Sequence, residues 1–266
     1  MKNLEIFDLL TTEYYLKLVT TQQDIVFLKE IRQKVLLPAY EKHTHIEDID
    51  KFLYNQDDEQ SFIYILIHNT TQKPVGTIRV FFINNKTPIK QLPIQMYGGV
   101  SDIDNYMQTY PVCEISRLAL IKDLPPYPKL SALKHRTILT IGLQSAIAIN
   151  MYLYGYTTVF SIMEPALYRL LSRYGIDFKP IGQEVDYFGP RIPHAIPRDK
   201  LMREADKTLW EIALFYLKEL AQNPDAFIEY INNHPYLTID NIYIDKLIDT
   251  INKHPDISVD KLLELS

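Results

Sequence analysis

The chain has 266 residues, 47% of them apolar, 12% aromatic and 23% charged, with 28 Lys and Arg against 33 Asp and Glu for a formal net charge of −5. That apolar and aromatic content excludes a disordered chain, and the acidic balance excludes a general nucleic-acid binder, whose sequence-independent affinity needs an excess of cations. Cys113 is the single cysteine, so an intramolecular disulfide and a cysteine-built zinc site are both excluded.

Residues 1–5 lack the apolar run of a secretion signal, and a cytoplasmic protein is expected. The first strand is expected over residues 14–19. Thr20 or Thr21 then offers an N-cap, and Ile25, Leu28, Ile31 and Val35 recur at helical spacing until Pro38 ends or bends the helix. Residues 41–58 are polar and acidic and read as a loop with a short helical turn. Two strands follow, over 61–68 and 76–83, joined by a hairpin turn at 69–74. Residues 84–110 carry Gly98-Gly99 and no clear period, and excursions of that length in compact domains are often functional.

Residues 112–121 return to alternation. Cys113, Ile115, Arg117 and Ala119 fall on one side, and Glu114, Ser116, Leu118 and Leu120 on the other. Pro125, Pro126 and Pro128 break the chain before a long helix over 131–154. A strand over 157–163 and a helix opened by Pro165 and ended by Gly175 come next. No charged side chain occurs from 137 to 163, a span long enough for a membrane. Gln144, Ser145 and Asn150 interrupt it, and its character changes near Gly155, so it reads as a buried helix followed by a buried strand. Extended runs at 177–181 and 191–196 flank Tyr187-Phe188-Gly189-Pro190. The order implies an α+β or α/β layered fold, one mixed twisted sheet with helices on both faces.

The chain divides into residues 1–197 and an all-helical extension, 198–266. Residues 200–222 form an amphipathic helix with Leu209, Trp210, Ala213, Leu217 and Leu220 on or near one stripe. Ile231-Asn232-Asn233-His234-Pro235 returns as Ile251-Asn252-Lys253-His254-Pro255, each copy followed by a hydroxyl residue and an Asp (Asp240, Asp260) that cap the next helix. His234 and His254 read as helix termini before proline, and no metal site is expected. The extension has three open roles: docking on the main domain, a homodimer, or recruitment of a partner.

The segment Glu114-Ile115-Ser116-Arg117-Leu118-Ala119-Leu120 resembles the Glu-(Val/Ile)-Ser-Arg-(Leu/Phe)-Ala-Val strand of the autoinducer-synthase-like acyltransferases. That group includes N-acyl amino acid synthases, exosortase-associated acyltransferases and acyl-homoserine lactone synthases, all on the GNAT acetyltransferase fold. In order along the chain, Ile31-Arg32-Gln33-Lys34-Val35 resembles the group's Arg-x-x-Val helix segment. Pro74-Val75-Gly76-Thr77-Ile78-Arg79 resembles its Val-Gly-Thr-x-Arg strand. Residues 186–193, DYFGPRIP, resemble the Asp-Tyr-x-Gly-x-Arg-x-Pro segment of the first two subfamilies. The resemblance covers residues 14–197. Asn55-Gln56-Asp57-Asp58 stands where the group often has Asp-Glu-Tyr-Asp, so the first acid is missing. The Gly-rich loop that wraps a CoA pyrophosphate is also absent, which suits a donor carried on acyl carrier protein without excluding acyl-CoA.

The resemblance implies amide formation from a thioester, with no cofactor beyond the acyl donor. That reaction needs a neutral amine, a polarised carbonyl and room for an acyl chain. About a tenth of an α-amino group is neutral at pH 7, so a carboxylate base is sufficient. Glu114 is the candidate base, or else a strand carboxylate paired with Arg79 or Arg117. Arg79 and Arg117 either hold an acceptor carboxylate or form an ion-pair network with Asp57, Asp58 and Glu114. Arg32 faces the same choice. Backbone N–H groups of the strand around Ser116 and Leu118 are expected to meet the developing oxyanion. Cys113 alternates away from Glu114, which argues against it as a nucleophile. Residues 138–154, 159–163 and 93–110 are expected to wall an apolar tunnel. Lys122, Lys129, Lys134 and Arg136, with His135, gather at the start of the long helix, either to attract a phosphate and an acidic carrier protein or as a solvated face.

The expected function is therefore N-acyl transfer from acyl carrier protein or CoA to a small-molecule amine such as an amino acid. Two alternatives stand beside it: autoinducer synthesis of the acyl-homoserine lactone type, with S-adenosylmethionine as acceptor, and a non-catalytic lipid- or partner-binding module. No nucleic-acid partner is expected, and at most a peripheral membrane contact.

Overall fold

The structure is a computed structural model that describes residues 3–83, 91–100, 103–106, 111–222, 224–233 and 241–261. Its strands are β1 (Tyr14–Leu18), β2 (Ser61–His68), β3 (Lys73–Ile83), β4 (Val112–Leu120), β5 (Thr158–Met163), β6 (Lys179–Pro180), β7 (Val185–Asp186) and β8 (Pro190–Pro197). The helices before β4 are α1 (Asn3–Asp8), α2 (Gln22–Ile31), α3 (Leu37–Tyr40), α4 (Ile49–Leu53), α5 (Gln56–Glu59), α6 (Pro93–Tyr97) and α7 (Ile103–Tyr106). After it come α8 (Ala132–Tyr154), α9 (Pro165–Ser172), α10 (Arg198–Glu204), α11 (Lys207–Gln222), α12 (Asp225–Asn233) and α13 (Asn241–Lys253).

The strands form one mixed sheet in the order β1-β2-β3-β4-β5-β8-β6, with β7 paired to β8 off this path. β1 to β4 run antiparallel, β4 and β5 are parallel, and β8 returns antiparallel to β5. Alternation divides the side chains between the faces. Phe62, Tyr64 and Leu66 of β2 join a cluster with α1, α8 and α11, whereas Ile63, Ile65 and Ile67 face α2 to α4. Helices thus cover both faces, as the order of elements and the family resemblance imply.

Ala132–Tyr154 is long and apolar enough to cross a membrane by composition, but 83% of its most apolar window is buried inside the protein. Ser131 caps it by accepting from Lys134 N, and Gly155 ends it in the left-handed region at φ 61°. The charge-free stretch is the core helix and core strand expected of it.

Several local expectations are corrected. The polar stretch 41–58 contains two short helices, started by the side chains of Asp48 and Asn55. Pro38 does not stop its helix. A wide π-helical turn at Arg32–Leu36 leads into α3, and Pro38 sits in the first turn of α3, where a missing N–H costs little. The helix expected over 200–222 is broken at residues 205–206, where Asp206 accepts from Thr208 N and its own N–H donates to Tyr174 O. At this crossing a Cβ on Gly175 would stand 1.9 Å from Glu204 O. His234, Pro235 and Asp240 lie outside the described residues, as do residues 84–90, 101–102 and 107–110 of the excursion. Ser258 of the second repeat accepts from Lys261 N, as a capping hydroxyl does.

The helical extension shares the main apolar cluster. Leu209, Trp210, Ile212 and Leu217 are buried with α8 and α1, and Tyr152 meets Trp210 edge-on. Tyr216 accepts from Leu16 N and donates to Leu10 O, both at 2.9 Å.

Candidate active site

Two apolar clusters share one face of the sheet. One lies under α2 to α4; the other lies under α6 and around Phe81, Val112 and Phe160. The polar residues of β3 and β4 occupy the seam between them. The turn before β8 bridges the clusters, with Tyr187 packed on one and Phe188 on the other.

β4 does two unusual things along this seam. It pairs with β5 through Val112, Cys113 and Glu114, and then the two strands part. Ser161 of β5 still reaches back, donating to Ile115 O at 3.0 Å. Beyond that point the β4 edge opens onto a cleft of about 460 Å³ bounded by β5, α8 and α9. This is within the range of small-ligand sites. β4 also bulges. Arg79 stands opposite Ser116 and Thr77 opposite Ala119, so two residues of β4 fill the place of one. Arg117, inside the bulge, has φ 55°, a left-handed conformation unusual for a side chain of its size. Strict alternation puts Arg117 opposite Glu114. The bulge instead turns it to the same face, with its guanidinium carbon 4.6 Å from the Phe52 ring centroid and 5.7 Å from that of Tyr40.

Glu114 is 1% exposed and lines the cleft. One carboxylate oxygen accepts from Ile94 N at 2.8 Å, in the first turn of α6. Burial pushes its carboxyl up to about 7, against the opposing pull of the Ile94 N–H and of Arg79. A carboxyl so placed exchanges a proton near neutral pH.

Arg32 and Asp58 form a fully buried two-point pair at 2.7 and 2.9 Å, and Arg32 also donates to Leu53 O. Arg79 joins them, donating to Asp58 at 3.3 Å and to the Ser116 hydroxyl at 3.0 Å. Burial alone would raise the Asp58 carboxyl, but Arg32 and Arg79 hold it well below the usual range. Arg32 and Asp58 thus lie behind Arg79 and line no part of the cleft, whereas Arg79, Glu114, Ser116, Arg117 and Leu118 all line it. Arg117 differs from the other two arginines. Among the described residues it has no acidic partner, and its buried Nη1 makes no hydrogen bond. Burial, with repulsion from Arg79 and Arg32, lowers it to about 10.

Arg136 donates to the carbonyls of Leu120 and Ile121, which fixes the end of β4 at the mouth of the cleft. Lys122, Lys129 and Lys134 are exposed around the start of α8, beside a surface hollow of about 550 Å³ lined by Lys122, Tyr127 and Leu133. Cys113 is buried on the opposite face, where burial pushes its thiol well up.

The expected tunnel walls are met in part. Thr140 and Gln144 of α8 and Ser161, Ile162 and Met163 of β5 line the cleft, but most of α8 is core. The apolar side comes largely from Leu167, Leu170 and Leu171 of α9 and from Phe178. A second hollow, about 500 Å³, adjoins the first and shares Arg79, Arg117 and Tyr187 with it; Pro93, Met96 and Tyr97 belong to its wall. Sequence reasoning left Tyr40, Tyr187 and Arg191 without roles, although the last two stand in a quoted segment. Tyr40 carried no local signal, since only the bulge brings Arg117 onto its ring.

No protein-family model matches the chain, and no curated protein matches it in sequence. Among solved structures, it is similar to FeeM, an N-acyl amino acid synthase from uncultured soil microbes, at 14% identity over 72% of this chain and 94% of that one, with a TM-score of 0.49. TofI in its apo form is 12% identical over 76% and 96% of the two chains, with a TM-score of 0.47. The aminoglycoside acetyltransferase AAC(6')-Ib in complex with coenzyme A is 16% identical over 71% and 98%, with a TM-score of 0.40.

Proposed function

We propose that this chain is an N-acyltransferase that moves a medium- or long-chain acyl group from a thioester to the amino group of an amino acid or related amine. The observation that carries the reading is Glu114: a buried carboxyl, poised near neutrality, beside a strand edge that has lost its partner and opens onto a cleft. In the reaction the amine nitrogen attacks the thioester carbon and a C–N bond forms. Glu114 takes the proton that the nitrogen sheds. The C–S bond then breaks, the thiolate leaves, and the proton returns to sulfur, giving amide and free thiol. A carboxylate base is sufficient, because an amine whose conjugate acid has a pKa near 8 is already about a tenth neutral at pH 7. N–H groups of the bulged strand, around Ser116 and Leu118, offer hydrogen bonds to the oxyanion.

The apolar wall from α9 gives an acyl chain its place, at about 0.8 kcal/mol for each CH₂ buried. Acyl carrier protein is our preferred donor, and acyl-CoA the alternative. Lys122, Lys129 and Lys134, next to the helix N-terminus, supply positive charge for a phosphate and for an acidic carrier. The reading places the protein in the cytoplasm.

Purified protein, given acyl-carrier-protein or acyl-CoA thioesters and pooled amino acids, is expected to release thiol and form acyl amides, read by thiol titration and mass spectrometry. Lipid binding with no thiol release from any donor overturns the proposal and leaves a binding module in its place.

A further inference from the structure

Arg79, Arg117, Arg136 and Arg191 line the cleft, with Arg32 behind Arg79, and their charges are unequally matched. Arg32 and Arg79 share Asp58, with Asp57 3.9 Å from Arg79. Arg117 has no acid, as described above. Arg191 of β8 is held at one end only: its Nη2 lies 3.5 Å from Glu164, whose side chain is largely exposed, while its buried Nε has no partner. Both Arg117 and Arg191 lie against the ring of Tyr40, at 5.7 and 5.5 Å from its centroid, and both line the cleft that holds Glu114. A half-buried guanidinium with little or no counter-charge is costly, and two of them against one ring leave a surplus of positive charge facing the cleft.

We propose that Arg191 acts with Arg117 as an oxyanion clamp that selects acceptors carrying a carboxylate beside the amine. This deepens the acyl-transfer reading and rests on it. The clamp has a second chemical effect. Its positive charge favours the neutral over the protonated amine, so the group that selects the acceptor also readies it for attack. Arg117 lines the second hollow as well as the cleft, so it stands where the two meet. The phosphate of a donor arm is the other source of an oxyanion.

The test is calorimetric binding of N-dodecanoylglycine and N-dodecanoylglycinamide to the wild type, Arg117→Gln and Arg191→Gln. Dodecanoyl-CoA and its phosphate-free N-acetylcysteamine analogue form the donor arm. Charge-assisted hydrogen bonds predict a wild-type preference of about 10- to 100-fold for the carboxylate over the amide. Each variant is expected to reduce that preference to a few-fold and to leave the preference between the two donors unchanged. Arg191→Lys, with melting curves for all variants, separates lost charge from lost fold. Equal wild-type affinity for acid and amide overturns the clamp. So does an Arg191→Gln that keeps the acid preference but loses the donor preference, since Arg191 then serves the donor phosphate. Thiol release is measured on the same preparations. Acid preference without turnover upholds the anion site and defeats the transferase reading. Turnover without acid preference does the reverse.

Discussion

Glu114 combines a place on the cleft with a cost to folding. Its carboxyl is raised from 4.5 to about 7 by burial, so the folded state holds a proton that the unfolded state has lost between those values. Stability contributed at this position therefore falls as pH rises through that window. Glu114→Gln removes the penalty and should melt higher relative to the wild type at pH 8 than at pH 5. The same substitution should lower the rate of acyl transfer about 10²- to 10⁴-fold while sparing donor binding. It should also abolish an inflection near pH 7 in kcat/KM. A pH–rate profile that keeps this inflection in the variant would remove Glu114 from the chemistry. Asp58 has the opposite sign: its carboxyl is depressed by Arg32 and Arg79, so its stabilising effect is present at neutral pH and lost as acid protonates it. Asp58→Asn leaves Arg32 buried without its partner and should cost about 3–5 kcal/mol in urea denaturation. Glu114, Arg79 and Arg117 were legible because acidic and basic side chains on apolar strands stand out. Arg191 was not: its meaning depends on a tyrosine far away in sequence.

The bulge in β4 brings Arg117 onto the same face as Glu114. Without it Arg117 would face the other side of the sheet, and the sequence pattern of 112–121 gives no sign of the extra residue. Register is set by cross-strand pairing, which a single strand's pattern does not record. The left-handed φ of Arg117 provides a direct check. Glycine bears that conformation without strain, so Arg117→Gly should be more stable than Arg117→Ala by about 1 kcal/mol, the reverse of their order in an ordinary strand. Equal melting temperatures for the two would argue against the bulge. The long helix α8 was legible end to end, because its cap, its apolar body and its terminal glycine are all local signals. The short helices α4 and α5 were read only as a loop with one helical turn, for the converse reason. At four or five residues they have no period to read, and side-chain caps and burial against β2 and α3 hold them in place.

At the scale of the molecule, residue 197 marks a change to all-helical elements, and the extension packs into the same core as the sheet. α11 buries Leu209, Trp210, Ile212 and Leu217 in the same cluster as α8, and Tyr230 of α12 donates to Ser61 O. A chain ending at residue 197 is expected to lose cooperative thermal unfolding and to bind a hydrophobic dye; a sharp transition in the truncated chain would show that the sheet stands alone. Periodicity showed that the extension was helical and amphipathic, yet gave no address for its apolar stripe, because the surface it covers is assembled from distant segments. Tyr216 adds something that burial does not. β1 is the outermost strand on its side, and such a border leaves main-chain groups available to any neighbouring extended segment. A phenol seated on the Leu16 amide closes the middle of that border to strand addition, so loosening the last quarter of the chain would turn a sealed margin into a seed for fibrous self-association.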